Sequence, residues 1–252
     1  MSPALNPLAV LENDIISCTR CARLVAHCAA VARIKRRAYR EQTYWGRPVP
    51  GFGDPDARLF ILGLAPGAHG ANRTGRVFTG DRSGDFLYAV LHAAGFASQP
   101  ASIARGDGLT MHDAWISASV RCAPPDNRPS SEEIATCREF LSKELALLAN
   151  VRLIVALGRI AHDNYLAVTG ERRASYCFGH GHEHRFDDGR VLIDSYHPSQ
   201  QNTSTGKLTT RMLTDVFERA RVLLAATAGS FRSRGDDAHK GAYPTVAAAS
   251  RR

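Results

Sequence analysis

The apolar run Leu59-Phe60-Ile61-Leu62 opens into a segment, residues 63–84, that holds six glycines together with Pro66, Phe78 and Asp81. A strand that yields to such a loop brings backbone close to a ligand, because glycine has no Cβ to obstruct the approach and tolerates positive φ. From Ser83 the pattern turns helical, with Phe86, Leu87, Val90 and Leu91 on one face. Strand, glycine loop and helix in that order place a ligand site at the carboxyl end of a strand in an α/β sheet.

The same alternation recurs downstream. Residues 115–120, 151–157 and 190–196 read as further strands, and the near-continuous apolar character of 151–157 suits a strand covered on both faces. Helices are expected over 8–16, 158–168 and 208–226, and Ser130-x-x-Glu133 is a capping box that starts another, running to about residue 149. The loop 123–129, with three prolines, excludes helix and central strand. Strands alternating with helices predict a three-layer α/β/α domain with a mainly parallel sheet over residues 1–228. Residues 229–252 lack periodicity and read as a disordered basic tail.

At 252 residues the chain has ample length for one core, and it has no apolar stretch of the roughly 20 residues that span a bilayer. With no signal-peptide pattern at its start, a soluble, cytoplasmic monomer is expected, with no membrane partner. The net charge is +8; five Lys/Arg against two Asp beyond Gly229 leave about +5 on the rest. That balance favours polyanionic partners.

Cys18-x-x-Cys21, Cys122 and Cys137 have a spacing that allows four thiolates to share a metal or an iron–sulfur cluster, though buried free thiols would give the same pattern. His197, followed by Pro198-Ser199 at the end of a strand, is placed to hydrogen-bond a developing anion, or is an exposed loop histidine. Phe78 packs inward or against a flat ligand. Asp81 serves as a base or electrostatic stabiliser, or caps the helix that follows. Asn127 between Asp126 and Arg128 holds the proline-rich turn. His180-Gly-His182-Glu-His184 has no H-E-x-x-H helix and reads as surface.

Taken together, GLAPGAHGANRTGRVFTGDRSG, the four cysteines, VRCAPPDNRP and HPSQQNTSTGKLT resemble the family 5 (type b) uracil-DNA glycosylases over residues 15–219. The resemblance implies a four-stranded, mainly parallel sheet and a [4Fe–4S] cluster on Cys18, Cys21, Cys122 and Cys137. It also implies monofunctional excision of uracil and other deaminated bases from double-stranded DNA, the first step of base excision repair. Such an enzyme draws its base out of the stack. Phe78 would stack on that base, and His197 would hydrogen-bond a carbonyl oxygen of the departing uracil. The loop 200–207 would enter the groove, with Gln200 or Gln201 as wedge, and Ser199, Thr203, Ser204, Thr205 and Lys207 near phosphates. Lys35-Arg36-Arg37 would add backbone contacts.

Two positions depart from the wider superfamily. Its first motif carries an acid after Pro-Gly, whereas here Gly67 is followed by Ala68; its second strand carries a base-reading Asn, whereas here Ala118 stands in that place. Losing the Asn relaxes base choice toward hypoxanthine and xanthine. Losing the acid shifts the burden onto Asp81, with Asn127 holding water or base. A non-catalytic, cluster-bearing DNA-binding module on the same fold is the competing reading; a zinc hydrolase built on His180–His184 fits the spacing poorly.

Overall fold

The computed structural model describes residues 6–232, with side chains through Ala226. Its centre is four parallel strands: β2 (Leu59–Gly63), β3 (Ala114–Ala118), β4 (Leu153–Leu157) and β6 (Val191–Ser195). Every residue of all four is buried, which is why they read as apolar runs rather than alternating ones. The sheet is wider than four strands. Short antiparallel strands β1 (Phe52–Gly53) and β5 (Glu183–Arg185) close its edges, giving six in the order β1-β3-β2-β4-β6-β5.

One face packs on α4 (Arg82–Ala93) and α8 (Thr210–Arg232), with Ile61, Ile116, Val155 and Ile193 meeting Leu87, Leu91, Leu213 and Phe217. The other packs on α5 (Ser131–Leu147) and α6 (Arg159–Thr169), where Phe60, Ile154 and Leu192 meet Leu141, Tyr165 and Leu166. The three layers expected from the sequence are therefore present. α5 begins with the full capping box: Ser130 accepts from the Glu133 N–H, and Glu133 accepts from the Ser130 N–H. A separate apolar cluster joins α1 (Pro7–Ile16) and α2 (Ala22–Ile34) to the end of β3 and to α5 through Leu11, Ile15, Leu24, Val120 and Phe140.

Two small helices, α3 (Ala71–Thr74) and α7 (Gln200–Ser204), sit in connections at the carboxyl ends of the central strands. α7 occupies the stretch expected to be loop. Ser199 caps it by accepting from the Asn202 N–H, so a local hydrogen bond overrides the run of polar residues. α8 continues to Arg232, into the segment expected to be tail; residues 233–252 lie outside the described residues. In chain order β3 falls on one side of β2 and β4 on the other, so the sheet changes direction beside β2. Crevices open at such a switch point.

Candidate active site

A cavity of about 1000 Å³ lies at that point, at the carboxyl ends of β2 and β3. Its walls come from residues 64–70 after β2, from Phe78 and Asp81, from Ala118, and from His197 beyond β6. Asn127, Ser199, Gln200 and Gln201 also line it, as do Arg36, Tyr39 and His69.

Phe78 holds a left-handed backbone, φ 49°, unusual for an aromatic residue. What fixes it lies on both sides. Its ring rests on Gly63, where a Cβ would come within 2.7 Å of the ring edge. Its loop is anchored by buried Arg76, which reaches Thr79 (3.1 Å), Ser102 (2.7 Å) and Asp107 (2.6 Å). Burial alone would raise the Asp107 carboxyl, yet Arg76 and three backbone N–H groups hold it well below the usual carboxylate range. The Phe78 ring then lies 5.9 Å from the His197 ring, tilted by 32°.

His197 has its pKa pushed down to about 4 by burial, so it is neutral at physiological pH. Its backbone is tied to α7, because Asn202 Nδ2 donates to the His197 carbonyl at 2.9 Å. A neutral imidazole beside an aromatic ring can donate a hydrogen bond without bringing charge into the cavity.

Of the two roles open to Asp81 in the sequence, the helix cap is present in the structure. Oδ1 caps α4, accepting from the Gly84 N–H at 3.0 Å. Oδ2 points toward the turn after β2. A Cβ on Gly67 would sit 2.7 Å from Oδ2, and one on Gly70 would collide with it. These two glycines therefore leave room for a carboxylate. Burial raises the Asp81 pKa, only partly offset by the N–H groups of Gly84 and Ser83.

Ala118 is buried at the end of β3 and brings no polar group to the wall. Asn127 is exposed at the tip of the proline-rich turn, where it and Asp126 both have positive φ (56° and 53°). Cys18, Cys21, Cys122 and Cys137 line one small, largely apolar pocket with Leu24, Val120 and Phe140. The Arg121 N–H donates to Cys137 Sγ at 3.3 Å. Four thiols converging on one apolar pocket form a donor set that a zinc ion or an iron–sulfur cluster could use.

The sequence profile of the uracil DNA glycosylase superfamily matches residues 50–221. The type-5 uracil-DNA glycosylase of Thermus thermophilus is 50% identical over 84% of this chain and 95% of its own length. The chain belongs to the uracil-DNA glycosylase superfamily. The type-5 enzyme of Mycobacterium tuberculosis is 51% identical over 84% of this chain and 80% of that protein. A type-4 enzyme of Thermotoga maritima is 30% identical over 69% and 81%.

Within this type-5 glycosylase the cavity gathers most of the residues singled out in the sequence: Phe78, Asp81, His197, Asn127, Gly67, Ala68, Ala118, Ser199, Gln200 and Gln201. Thr203, Ser204, Thr205 and Lys207 are not among its lining residues. The hydroxyls of the first three donate into the carbonyls of Ser199, Gln200 and Gln201, and Lys207 Nζ stands 5.0 Å from the centre of the Tyr196 ring. Two further lining residues were not expected from the sequence: His69, whose Nδ1 is 3.0 Å from the Tyr44 hydroxyl, and Tyr39, which lies under Arg73 at 4.0 Å. Arg73 also donates to the carbonyls of His69 and Gly80, holding the two ends of the glycine loop together. The aromatic and basic residues before β1 were the only available signal for this wall.

Proposed function

We propose that this uracil-DNA glycosylase hydrolyses the N-glycosidic bond of uracil, hypoxanthine and xanthine in double-stranded DNA, with the base drawn out of the helix into the cavity. The observation that carries the reading is the neutral His197 beside the Phe78 ring, with Asp81 lining the same cavity. Phe78 stacks on the extruded base. As the C1′–N bond lengthens, its electron pair passes to the base, and His197 donates a hydrogen bond to the carbonyl oxygen that takes up the charge. The sugar gains oxocarbenium character before water arrives, so an acid directly after Gly67 is dispensable and Ala68 is tolerated. Asp81 stabilises that cation and orients the water, whose oxygen bonds to C1′; Asn127 holds water or base. The base leaves with the proton that water gives up.

Ala118 leaves the edge of the base unread, which supports the wider choice of deaminated bases. Gln200 or Gln201 fills the space the base vacates. Ser199 and Arg36, which line the cavity, and Lys207 beyond it would contact the phosphates. Cys18, Cys21, Cys122 and Cys137 would hold a [4Fe–4S] cluster that ties the N-terminal helices to β3 and α5, a structural role expected to require about four irons per chain. On this reading the protein acts as a cytoplasmic monomer at the start of base excision repair.

Single-turnover assays on duplexes carrying U·G or hypoxanthine·T test the proposal. Abasic product is expected from both, with His197→Ala slower by roughly 10²-fold or more. Ala118→Asn should retain uracil excision and lose hypoxanthine excision. No abasic product from either duplex would overturn the reading in favour of a DNA-binding module.

A further inference from the structure

Behind β6, on the face covered by α6, the side chain of Asp194 is fully buried between two histidines. Its Oδ1 lies 2.7 Å from His162 Nδ1, and its Oδ2 lies 3.1 Å from His184 Nε2. The three ligand atoms are all within 4.8 Å of one another. None of these residues lines the catalytic cavity. His184 was expected at the surface as part of His180-Gly-His182-Glu-His184; pairing of β5 with β6 turns it inward instead, to 11% side-chain exposure.

The other nitrogen of His162, Nε2, faces the Tyr176 carbonyl at 3.0 Å. A carbonyl only accepts, so Nε2 carries the hydrogen. Nδ1 faces a carboxylate, so the two groups must share a positive centre: either a second proton, making a buried imidazolium, or a cation bound by both. A ligating histidine commonly donates its other N–H to a backbone carbonyl, as His162 does. Carboxylate Oδ2 also accepts from the Gly179 N–H at 3.3 Å, which holds the group in place for coordination. Adjacent ligands on a tetrahedral metal with bonds of about 2.0–2.2 Å stand about 3.4 Å apart. The pairs here, at 2.7 and 3.1 Å, would open by less than about 1 Å to admit one.

The geometry points to a zinc site formed by His162 Nδ1, His184 Nε2 and the Asp194 carboxylate, with water as the fourth ligand on the partly exposed His184 side. Two imidazoles and one carboxylate suit zinc better than the hard cations calcium or magnesium. The ion would pin α6, β5 and β6 together three residues before His197, and its role would be structural. No cysteine enters its ligand set, which separates it from the thiol pocket near β3.

The test measures zinc and iron together in the purified full chain after equilibration with zinc and exhaustive dialysis. About one zinc per chain is expected, with X-ray absorption at the zinc edge giving only nitrogen and oxygen neighbours at about 2.0–2.1 Å. His184→Gln should lower zinc by about tenfold or more and leave iron unchanged. In a second measurement, adding zinc to chelator-treated protein should raise the Tm of the wild type and not that of His184→Gln. Absence of zinc from the dialysed wild type, sulfur neighbours at the zinc edge, or full zinc retention in His184→Gln would each overturn the assignment.

Discussion

The catalytic role proposed for Asp81 can be separated from its helix cap. Oδ1 holds the first turn of α4, which needs an acceptor but not a charge; Oδ2 faces the turn after β2, where the proposed role needs the charge. Asp81→Asn keeps the acceptor and removes the charge. Single-turnover excision should therefore fall by about 10²-fold. The effect on stability has the opposite sign. A carboxyl whose pKa is raised by folding binds its proton more tightly in the native state. Its contribution to stability is full below the unfolded pKa and is lost as pH rises through the folded one. At neutral pH the ionised Asp81 destabilises the fold, so Asp81→Asn should have a higher Tm than the wild type at pH 7, with the gap closing in acid. A lower Tm at pH 7 would mean that Oδ2 has a stabilising partner. His197, with its pKa pushed down to about 4, is neutral between pH 6 and 8, so any loss of excision on acidification within that range belongs to Asp81 and should be absent from Asp81→Asn. Gly67 and Gly70 were legible as glycines needed for close approach. What approaches them, the Asp81 side chain, was not, because that contact joins the two ends of the loop.

At the scale of elements, legibility followed burial. β2, β3, β4 and β6 are buried throughout and announce themselves as apolar runs, while β1 and β5 have two and three residues and no periodicity to detect. The helix α7 was hidden for a different reason. Its residues, Gln200-Gln-Asn-Thr-Ser204, favour turns, and a single cap from Ser199 with tertiary support from Asn202 decides the matter. That has a consequence for DNA binding. The hydroxyls of Thr203, Ser204 and Thr205 already donate to carbonyls one turn back, so they have no hydrogen to offer a phosphate. Replacing all three by alanine should change duplex affinity less than about threefold, since alanine is also the better helix former. Ser199→Ala, which removes the cap at a cost of about 1 kcal/mol, should weaken binding more. Fluorescence anisotropy on a uracil-bearing duplex measures both; a tenfold loss in the triple variant would place those hydroxyls on the phosphates after all.

Across the whole molecule, the thiol pocket and the catalytic cavity meet at β3, and one buried ion pair joins them. Arg121, 1% exposed, binds Glu144, 2% exposed, at 2.6 Å, and both contact Ser117. Ser117 precedes Ala118 in the cavity wall, Arg121 precedes Cys122, and Glu144 shares α5 with Cys137. The pair thus clamps α5 to the end of β3 at the point where both sites depend on their spacing. No sequence pattern reveals such a pair, since its members are distant in the chain and each reads as a surface charge. A buried pair costs desolvation of both ions, so its net value over apolar residues is small, whereas removing one partner strands the other. Glu144→Gln should therefore destabilise the protein by about 3–5 kcal/mol. The double variant Arg121→Met with Glu144→Leu should recover most of that loss in denaturant unfolding. If the pair serves only stability, the double variant will excise uracil at the wild-type rate and match the wild type in metal content. A recovered fold with slowed excision and lowered metal content would instead show that the ion pair sets the distance between α5 and β3, on which the proposed cluster site and Ala118 would both rely.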